Sequence, residues 1–198
     1  MKCIILAAGY ATRLYPLTEN FPKPLLKVGE KAILDWLVDD VAELVDEFLI
    51  VSNHKFAEQF QEWATGKPQN IKVIDDGTTS NETRLGAVKD IQLVCRDIDD
   101  DCLVMAGDNV LDFSLQNFVR FAIEKGTSCV MCHEENRLAA LQKTAVITVN
   151  DNNLITSYEE KPKEPKGHLA VPPFYFYRVD DIHRIQEALD AGCGYDAP

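Results

Sequence analysis

The sequence predicts an α/β fold in which helices cover both faces of a doubly wound, mostly parallel β-sheet. The chain has 198 residues, of which 46% are hydrophobic, and this is enough for one domain with a buried core over residues 1–198. Continuous apolar runs such as 48–51 are typical of strands that are covered on both faces. These runs alternate with segments of helical periodicity, which favours parallel βαβ units whose ligands bind at the carboxyl ends of the strands.

Strands and helices alternate through the first half of the chain. A buried strand is predicted at residues 2–6, and a helix is predicted over residues 31–45 because its apolar side chains recur with helical spacing. The same reasoning predicts, in chain order, a strand at 48–52, a helix at 54–63, a strand at 71–74, a helix at 83–94 and a strand at 102–105.

The second half of the chain contains a predicted hairpin. A helix at 113–124 and a strand at 129–132 are followed by two short apolar strands, 145–149 and 154–158, on either side of the polar turn 151–153. This pattern predicts a small β-hairpin region. A last strand is predicted at 170–177 and a last helix at 180–191.

The composition excludes several classes of protein. A formal charge of −12 argues against a nucleic acid partner, since duplex binding relies on a basic surface. No apolar run approaches the ~20 residues of a membrane span, and no leader precedes the first strand, so we expect a cytoplasmic protein with reduced cysteines. Cys129, Cys132 and His133 have the spacing of a haem attachment site, but we interpret them as part of a strand, in which residues three apart face opposite ways.

The first strand ends in small residues that are suited to binding a phosphate. Consecutive backbone N–H groups in such a turn form a concave anion site that a phosphate can approach closely. Arg13 adds a planar, permanently charged fork, and the prolines on both sides of Lys23 hold its ammonium group in place. The residues expected to contact a polyphosphate are Leu6, Ala7, Ala8, Gly9, Ala11, Thr12, Arg13 and Lys23.

The stretch from residue 6 to residue 26 is neither a dinucleotide fingerprint nor a Walker loop, because Gly-x-Gly-x-x-Gly and Gly-Lys-Ser/Thr are absent. It resembles the signature of the sugar-phosphate nucleotidyltransferases (NDP-sugar pyrophosphorylases), such as glucose-1-phosphate thymidylyltransferase-like proteins. That signature is Leu-Ala-Ala-Gly-x-Gly-Thr-Arg-Leu-x-Pro-Leu-Thr followed by Pro-Lys-Pro, and this chain departs from it by having Ala11 in place of a glycine. The resemblance implies a Rossmann-like nucleotidyltransferase fold. It also implies that a nucleoside triphosphate and a sugar 1-phosphate react to give an NDP-sugar and pyrophosphate, and it leaves a homo-oligomer open.

Gly107 and Asp108 end the fourth predicted strand, beside the first loop. A carboxylate at that edge can hold Mg²⁺, which bridges substrate phosphates while keeping several waters. A turn residue with a capping role would also explain an isolated Gly-Asp. The resemblance implies that Asp108 is the first magnesium ligand and that Gly107 contacts the nucleotide.

Glu160 and Lys161 follow the hairpin and, without the resemblance, would be read as a solvated charge run. The resemblance implies that Glu160 accepts hydrogen bonds from sugar hydroxyls and that Lys161 binds the sugar phosphate. This chain has Thr144-Ala145-Val146 where relatives have Tyr-Gly-Val, and Pro172-Pro173 where they have Thr-Gly. Both differences lie on the sugar side, so the resemblance does not transfer the identity of the sugar.

The nucleobase and the second metal ligand stay open at this stage. Asn81 or Arg84 could read a base edge, while Asn81 could equally be only a helix cap, and uridine, thymidine, cytidine and guanosine remain candidates. Relatives continue into a strand that carries a second magnesium-binding aspartate, for which Asp196 is a weak candidate. We therefore expect that this chain lacks the family's C-terminal segment.

The resemblance assigns roles in catalysis to four residues. Arg13 would hold the leaving pyrophosphate, Lys23 and Mg²⁺ on Asp108 would neutralise the α-phosphate, and Lys161 would aim the attacking oxygen. Two other functions are kept as alternatives. One is an alcohol-phosphate cytidylyltransferase of the phosphocholine type, with rings from Phe174, Tyr175 and Tyr177; the other is a nucleotide-binding regulatory module with little turnover.

Overall fold

A computed structural model of the chain describes residues 1–192. The chain divides into two compact units, one containing residues 1–128 and the chain from residue 176 on, and the other containing residues 129–175. The expected single domain over residues 1–198 stays a prediction, because compactness alone does not show whether a unit folds separately.

The described elements are numbered in chain order. The strands are β1 (Lys2–Leu6), β2 (Lys27–Val28), β3 (Lys31–Ala32), β4 (Glu47–Ser52), β5 (Ile71–Asp75), β6 (Cys102–Ala106), β7 (Cys129–Val130), β8 (His133–Glu134), β9 (Ala145–Val149), β10 (Ile155–Glu160), β11 (Leu169–Val171) and β12 (Phe174–Tyr177). The helices are α1 (Ile33–Val41), α2 (Ala57–Ala64), α3 (Ala87–Cys95), α4 (Gln116–Lys125), α5 (Leu138–Leu141), α6 (Val179–Ile182) and α7 (Ile185–Asp190). Two 3₁₀ helices lie at Thr12–Leu14 and Lys23–Leu25.

The sheet of the first unit is built around four parallel strands in the order β5-β4-β1-β6, and β12 follows β6. All six residues of β4 are buried, as are the three central residues of β1 and the first four of β6, which accounts for their continuous apolar sequences. Leu6 is paired with Val51 on one side and Ala106 on the other. The predicted α/β fold with a mostly parallel sheet is confirmed, and the loops that follow β1, β4 and β6 begin side by side.

The helix α1 is shorter than the predicted 31–45. Its five buried side chains recur at helical spacing at 33, 34, 37, 38 and 41, as the sequence indicated. The Asp35 carboxylate accepts a hydrogen bond from the Ala32 N–H at 3.0 Å, which satisfies one unpaired donor at the start of the helix. After Val41 the chain turns, with the Leu44 N–H donating to the Val41 carbonyl at 2.9 Å.

Three further predicted elements differ in extent from the structure. The helix predicted at 83–94 begins at Ala87, and its N-cap is Gly86 with φ of 90°, so the interpretation of Asn81 as a helix cap was also wrong. The last strand is divided into β11 and β12 around Pro172 and Pro173, which cannot donate a backbone hydrogen bond to a neighbouring strand. The predicted last helix is two short helices, α6 and α7.

The second unit contains an antiparallel sheet in the order β10-β9-β11-β8. The predicted hairpin of β9 and β10 is confirmed. Its turn is held by the Asn150 side-chain oxygen, which accepts from the N–H groups of Asn152 and Leu154 at 3.0 Å each, and Asn153 adopts the left-handed conformation that asparagine tolerates. Leu141 of α5 packs with Val146 and Ala170 on one face of this sheet.

Three of the cysteines in residues 1–192 lie in the core. Cys3, Cys95 and Cys102 are buried, and burial raises the pKa of the Cys95 thiol to about 11 and that of Cys102 to about 12. Cys129 lies in β7, but Cys132 lies outside any strand and is exposed, so the single strand predicted at 129–132 was wrong. Across this part of the chain, none of the helices combines the length and apolar character that crossing a membrane requires.

Candidate functional site

The loop after β1 is fixed from behind by buried hydrogen bonds. The Ala7 N–H donates to the Val51 carbonyl at 2.8 Å, and the Asn53 side-chain amide donates to the Ala8 carbonyl at 2.9 Å. Asn53 is fully buried, and its own side-chain oxygen accepts from the Phe56 N–H at 3.1 Å. Asn53 therefore holds the Ala8 carbonyl on the inner side of the loop, and this contribution was missed from the sequence because no local motif marks it.

Ala11 has φ of 47° and ψ of 39°, the left-handed conformation that costs an L-residue about 1–2 kcal/mol. This is the position at which the resemblance expected a glycine. The fully buried Thr18 donates from its hydroxyl to the Ala11 carbonyl at 2.8 Å, which holds the loop in that conformation. The chain thus retains the backbone geometry expected for a glycine and adds a methyl group to it.

Replacing Ala11 by glycine is therefore expected to leave the free energy of unfolding unchanged or to raise it by up to about 1 kcal/mol, because relief of the left-handed strain outweighs the added flexibility of the unfolded chain. Urea unfolding followed by circular dichroism measures the change. The matched control is Ala8→Gly, at a buried position without positive φ, which should lose about 1 kcal/mol or more. Equal destabilisation by the two substitutions would contradict the strain argument.

Lys23 and Asp108 meet at the carboxyl end of the sheet. The Lys23 ammonium lies 2.8 Å from Asp108 Oδ2, and both side chains are partly exposed to solvent. Lys23 begins the second 3₁₀ helix directly after Pro22, and Asp108 comes two residues after the end of β6. Because β6 is the parallel neighbour of β1, the loops that follow the two strands converge, as the sequence predicted.

Gly107 has a packing role that the sequence did not indicate. A Cβ atom at this position would lie 3.0 Å from Ile5 Cγ2 and 3.4 Å from the Leu6 carbonyl oxygen. The Gly107 N–H also donates to that carbonyl at 2.9 Å. Glycine therefore allows the chain after β6 to stay close to β1 and to place Asp108 beside the loop. The contact of Gly107 with nucleotide stays a prediction.

A cavity of about 160 Å³ joins these residues. It is lined by Leu6, Ala7, Gly9, Ala11, Lys23, Pro24 and Asp108. Small side chains, backbone N–H groups and an ammonium group are suited to binding a phosphate, whereas a carboxylate suits such a site only when it holds a cation. Thr12 and Arg13 are exposed on the first 3₁₀ helix, and the predicted contacts of both with a polyphosphate stay predictions.

The segment proposed to face the base is a turn rather than a helix start. The Thr83 N–H donates to the Ser80 carbonyl at 3.1 Å, and Asn81 lies within this turn with a partly exposed side chain. Tyr10 connects the first loop to the same region, because its buried hydroxyl donates to the Thr78 carbonyl at 3.0 Å. Base reading by Asn81 or Arg84 remains a prediction.

Asp76 and Asp90 form an acidic pair beside this segment, in which Asp90 is buried and Asp76 is partly exposed. In the described part of the chain, Asp76 Oδ2 and Asp90 Oδ1 are buried without a hydrogen-bond partner. Burial, and then the charge of Asp76, raises the pKa of Asp90 to about 7, and burial also raises the pKa of Asp76. Asp90 is therefore largely protonated below neutral pH, a feature that no sequence pattern indicated.

This pair predicts a specific dependence of stability on pH. A raised folded-state pKa means that the native protein binds a proton that the unfolded chain releases above its ordinary pKa of 3.8. The contribution of Asp90 to stability is thus present below about pH 4, declines as the pH rises and is lost above about pH 7. The total loss is on the order of 4 kcal/mol.

The variant Asp90→Asn replaces the protonated carboxyl by a neutral group of the same shape. The difference in the free energy of unfolding between this variant and wild type should shift in favour of the variant when the pH is raised from 5 to 8. Urea unfolding at pH 5 and at pH 8 measures this difference. The control Glu58→Gln, on the exposed side of α2, should follow the wild-type curve. If the free energies of unfolding of wild type and Asp90→Asn changed in parallel with pH, Asp90 would be ionised throughout this range.

The second unit brings Glu160 and Lys161 together. Lys161 follows β10 with φ of 46°, its N–H donates to the Thr144 carbonyl at 3.1 Å, and its ammonium group lies 3.1 Å from Glu160 Oε1. The Thr144 hydroxyl in turn donates to the Val171 carbonyl at 3.0 Å. Thr144, which departs from the family's usual residue, is therefore in direct contact with Lys161.

The family model for nucleotidyl transferases matches residues 2–192. The chain belongs to the nucleotidyl transferase family. The family resemblance drawn from residues 6–26 is therefore confirmed, and the match extends well beyond that stretch.

Individual relatives support the same assignment. The chain is 31% identical over 176 residues to the bifunctional protein GlmU of Methanocaldococcus jannaschii, with 88% of this chain and 39% of that protein covered. It is 29% identical over 184 residues to the UTP–glucose-1-phosphate uridylyltransferase AglF of Haloferax volcanii, with 92% of this chain and 74% of that protein covered. A UDP-glucose pyrophosphorylase solved with UDP-glucose has the same fold, with a TM-score of 0.79 at 20% identity over 94% of this chain and 79% of that one.

The resemblance implies a magnesium ion at Asp108. The Asp108 carboxylate is half exposed and already has a cation, the Lys23 ammonium, at 2.8 Å. Within residues 1–192 no group of three His, Cys, Asp or Glu side chains is placed to hold a metal ion, and the carboxylate that lines the cavity is that of Asp108. Mg²⁺ is commonly bound by one or two carboxylates together with substrate phosphates and waters, so Asp108 fits on those terms. Asp196, the weak candidate for a second ligand, lies outside the described residues.

Proposed function

We propose that this nucleotidyl transferase moves a nucleotidyl group from a nucleoside triphosphate to a sugar 1-phosphate and releases pyrophosphate. The observation that supports this proposal most strongly is the cavity in which the small residues after β1 meet Lys23 and Asp108. The name of the AglF relative, a UTP–glucose-1-phosphate uridylyltransferase, supports this general reaction, while it does not fix the base or the sugar for this chain.

In the proposed reaction, an oxygen of the sugar phosphate attacks the α-phosphorus of the triphosphate. A new P–O bond forms as the bond from the α-phosphorus to the bridging oxygen of the β-phosphate breaks, and pyrophosphate leaves. No general base is required, because a sugar phosphate is already an anion at neutral pH. Catalysis then depends on positioning and on neutralising charge.

The residues of the first unit supply these two effects. The N–H groups of the loop from Ala8 to Ala11 bind phosphate oxygens, since the Ala7 N–H already donates to the Val51 carbonyl. Lys23 places its charge beside the α-phosphate. Arg13 holds the leaving pyrophosphate with its planar guanidinium group. Asp108 would hold a magnesium ion, which when bound supplies positive charge to the phosphate oxygens.

Glu160 and Lys161 of the second unit are proposed to bind the acceptor. Lys161 binds the phosphate of the sugar 1-phosphate, and Glu160 accepts hydrogen bonds from sugar hydroxyls. The rings that the alcohol-phosphate alternative would need are unsuitable in two cases, since Phe174 and Tyr175 are only 1% and 5% exposed. A buried ring of β12 cannot contact a cationic head group from solvent.

Pyrophosphate release with purified protein tests the proposal directly. Each common nucleoside triphosphate is combined with a panel of sugar 1-phosphates and with choline phosphate, in the presence of Mg²⁺. The expected result is release that requires one triphosphate and at least one sugar 1-phosphate together. If pyrophosphate were released with choline phosphate as acceptor and with none of the sugar 1-phosphates, the cytidylyltransferase alternative would be favoured. Nucleotide binding without any pyrophosphate release would favour the regulatory module.

A further inference from the structure

Tyr158 lies beside the proposed acceptor residues and is not used by the function described so far. It precedes Glu160 by two positions in β10, so the two side chains lie on the same face of the strand. β10 is an edge strand of its sheet, and its partners at these two positions, Ile147 and Ala145 of β9, are buried. Tyr158 is nevertheless 44% exposed, so this face presents an accessible aromatic ring next to a carboxylate.

Both oxygens of the Glu160 carboxylate have a donor nearby. Lys161 Nζ lies 3.1 Å from Oε1, and the Tyr158 hydroxyl lies 3.5 Å from Oε2. This O···O distance exceeds the roughly 3.0 Å usual for an O–H···O hydrogen bond, so the contact with Oε2 is a weak one. Burial, and then the charge of Glu160, raises the pKa of Tyr158 to about 12. The phenol therefore keeps its proton at neutral pH and is available as a donor to the carboxylate.

The combination of ring, carboxylate and ammonium suits a particular class of ligand. A tyrosine presents an apolar face and a polar tip, so its ring can pack against the C–H face of a sugar while the neighbouring carboxylate accepts from the hydroxyls. The ammonium group of Lys161 is suited to the phosphate. Together the three side chains match a phosphorylated polyhydroxyl ring.

A ligand with a cationic head group fits this arrangement less well. The ammonium of Lys161, 3.1 Å from Glu160, offsets the negative charge that would attract such a group. Sites for quaternary ammonium groups are built as cages of several aromatic rings. Of the tyrosine and phenylalanine rings considered for this role, Phe174 and Tyr175 are buried in the core.

We propose that Tyr158 determines specificity in the acceptor site. Its ring packs against the sugar of a sugar 1-phosphate, and its hydroxyl orients the Glu160 carboxylate toward the sugar hydroxyls. This inference rests on the proposed function, and it adds a residue that selects a phosphorylated acceptor whose ring is uncharged and polyhydroxylated.

Steady-state kinetics of Tyr158→Leu and Tyr158→Phe test the inference. Loss of the ring in Tyr158→Leu should raise the KM for the sugar 1-phosphate about tenfold and leave the KM for the triphosphate within about twofold, because one aromatic contact is worth roughly 1.4 kcal/mol. Tyr158→Phe keeps the ring and should raise the sugar KM only about threefold. The matched control is Ile155→Ala, an exposed apolar position on the same strand, which should leave both KM values unchanged.

The outcomes separate this inference from the proposed function. If sugar 1-phosphates react but Tyr158→Leu leaves the sugar KM within about twofold, or raises both KM values equally, the specificity role is overturned while the function stands. If wild type reacts with choline phosphate and with no sugar 1-phosphate, both are overturned. A selective rise in the sugar KM, with partial rescue by phenylalanine, supports the assignment.

Discussion

Replacing Lys23 by alanine is expected to reduce turnover by about 10²-fold or more while leaving the fold intact. The ammonium group lies at the mouth of the cavity formed by the loop after β1, where it would neutralise charge on the transferring phosphate. Removing one such stabilising group from a preorganised site typically costs a factor of about 10²–10³ in rate. Pyrophosphate release at saturating substrates, together with the circular dichroism spectrum, measures both parts of the expectation.

The control for this variant is Lys27→Ala, which removes an exposed lysine of β2 four residues away. It should retain the wild-type rate. Arg13→Ala belongs with Lys23→Ala and is expected to show a loss of similar size, since Arg13 is proposed to hold the leaving pyrophosphate. A folded Lys23→Ala protein that turned over at nearly the wild-type rate would show that the transferring phosphate does not bind in this cavity.

The substitution Asp108→Asn is expected to have the second large effect. A neutral amide is a poorer ligand for a hard divalent cation than a carboxylate, so the Mg²⁺ concentration for half-maximal rate should rise at least about tenfold and the maximal rate should fall by about 10². The measurement is the rate of pyrophosphate release as a function of Mg²⁺ concentration. The same variant also removes the ion pair with Lys23. This ion pair is partly exposed and contributes about 1 kcal/mol or less to stability.

Asp112→Asn is the matched control, because Asp112 is an exposed carboxylate on the same loop. Its magnesium dependence should coincide with that of wild type. Wild-type activity that persisted in excess chelator would exclude a divalent ion from the reaction and would leave Asp108 with a purely electrostatic role toward Lys23.

The parallel core was predictable because its strands are buried on both faces. A run such as that in β4 has no polar residue to interrupt it, and helices of the right period lie between successive runs. Once β1 and β6 are placed as parallel strands, the loop after β1 and Asp108 must lie at the same edge of the sheet. The proximity of Asp108 to the small residues could therefore be predicted before any distance was known, whereas the position of Lys23 beside them was implied by the family resemblance.

Other parts of the site depend on contacts between residues far apart in the chain. Asn53 fixes the Ala8 carbonyl from 45 positions away, and Thr18 supports the left-handed Ala11, but neither residue belongs to a local pattern. The pairing of Asp76 with Asp90 depends on how α3 packs, and the start of that helix was itself predicted four residues too early. The predicted last strand was too long because its apolar sequence continues through Pro172 and Pro173, where backbone pairing is interrupted.

The central claim is that the chain transfers a nucleotidyl group, and the fate of labelled phosphate tests it most directly. A reaction with the preferred sugar 1-phosphate is run twice, once with triphosphate labelled at the α-phosphorus and once with triphosphate labelled at the γ-phosphorus. We expect the α-label to appear in the NDP-sugar and the γ-label in pyrophosphate. Transfer of the γ-label to the sugar phosphate, or release of the γ-label as inorganic phosphate without any NDP-sugar, would contradict it.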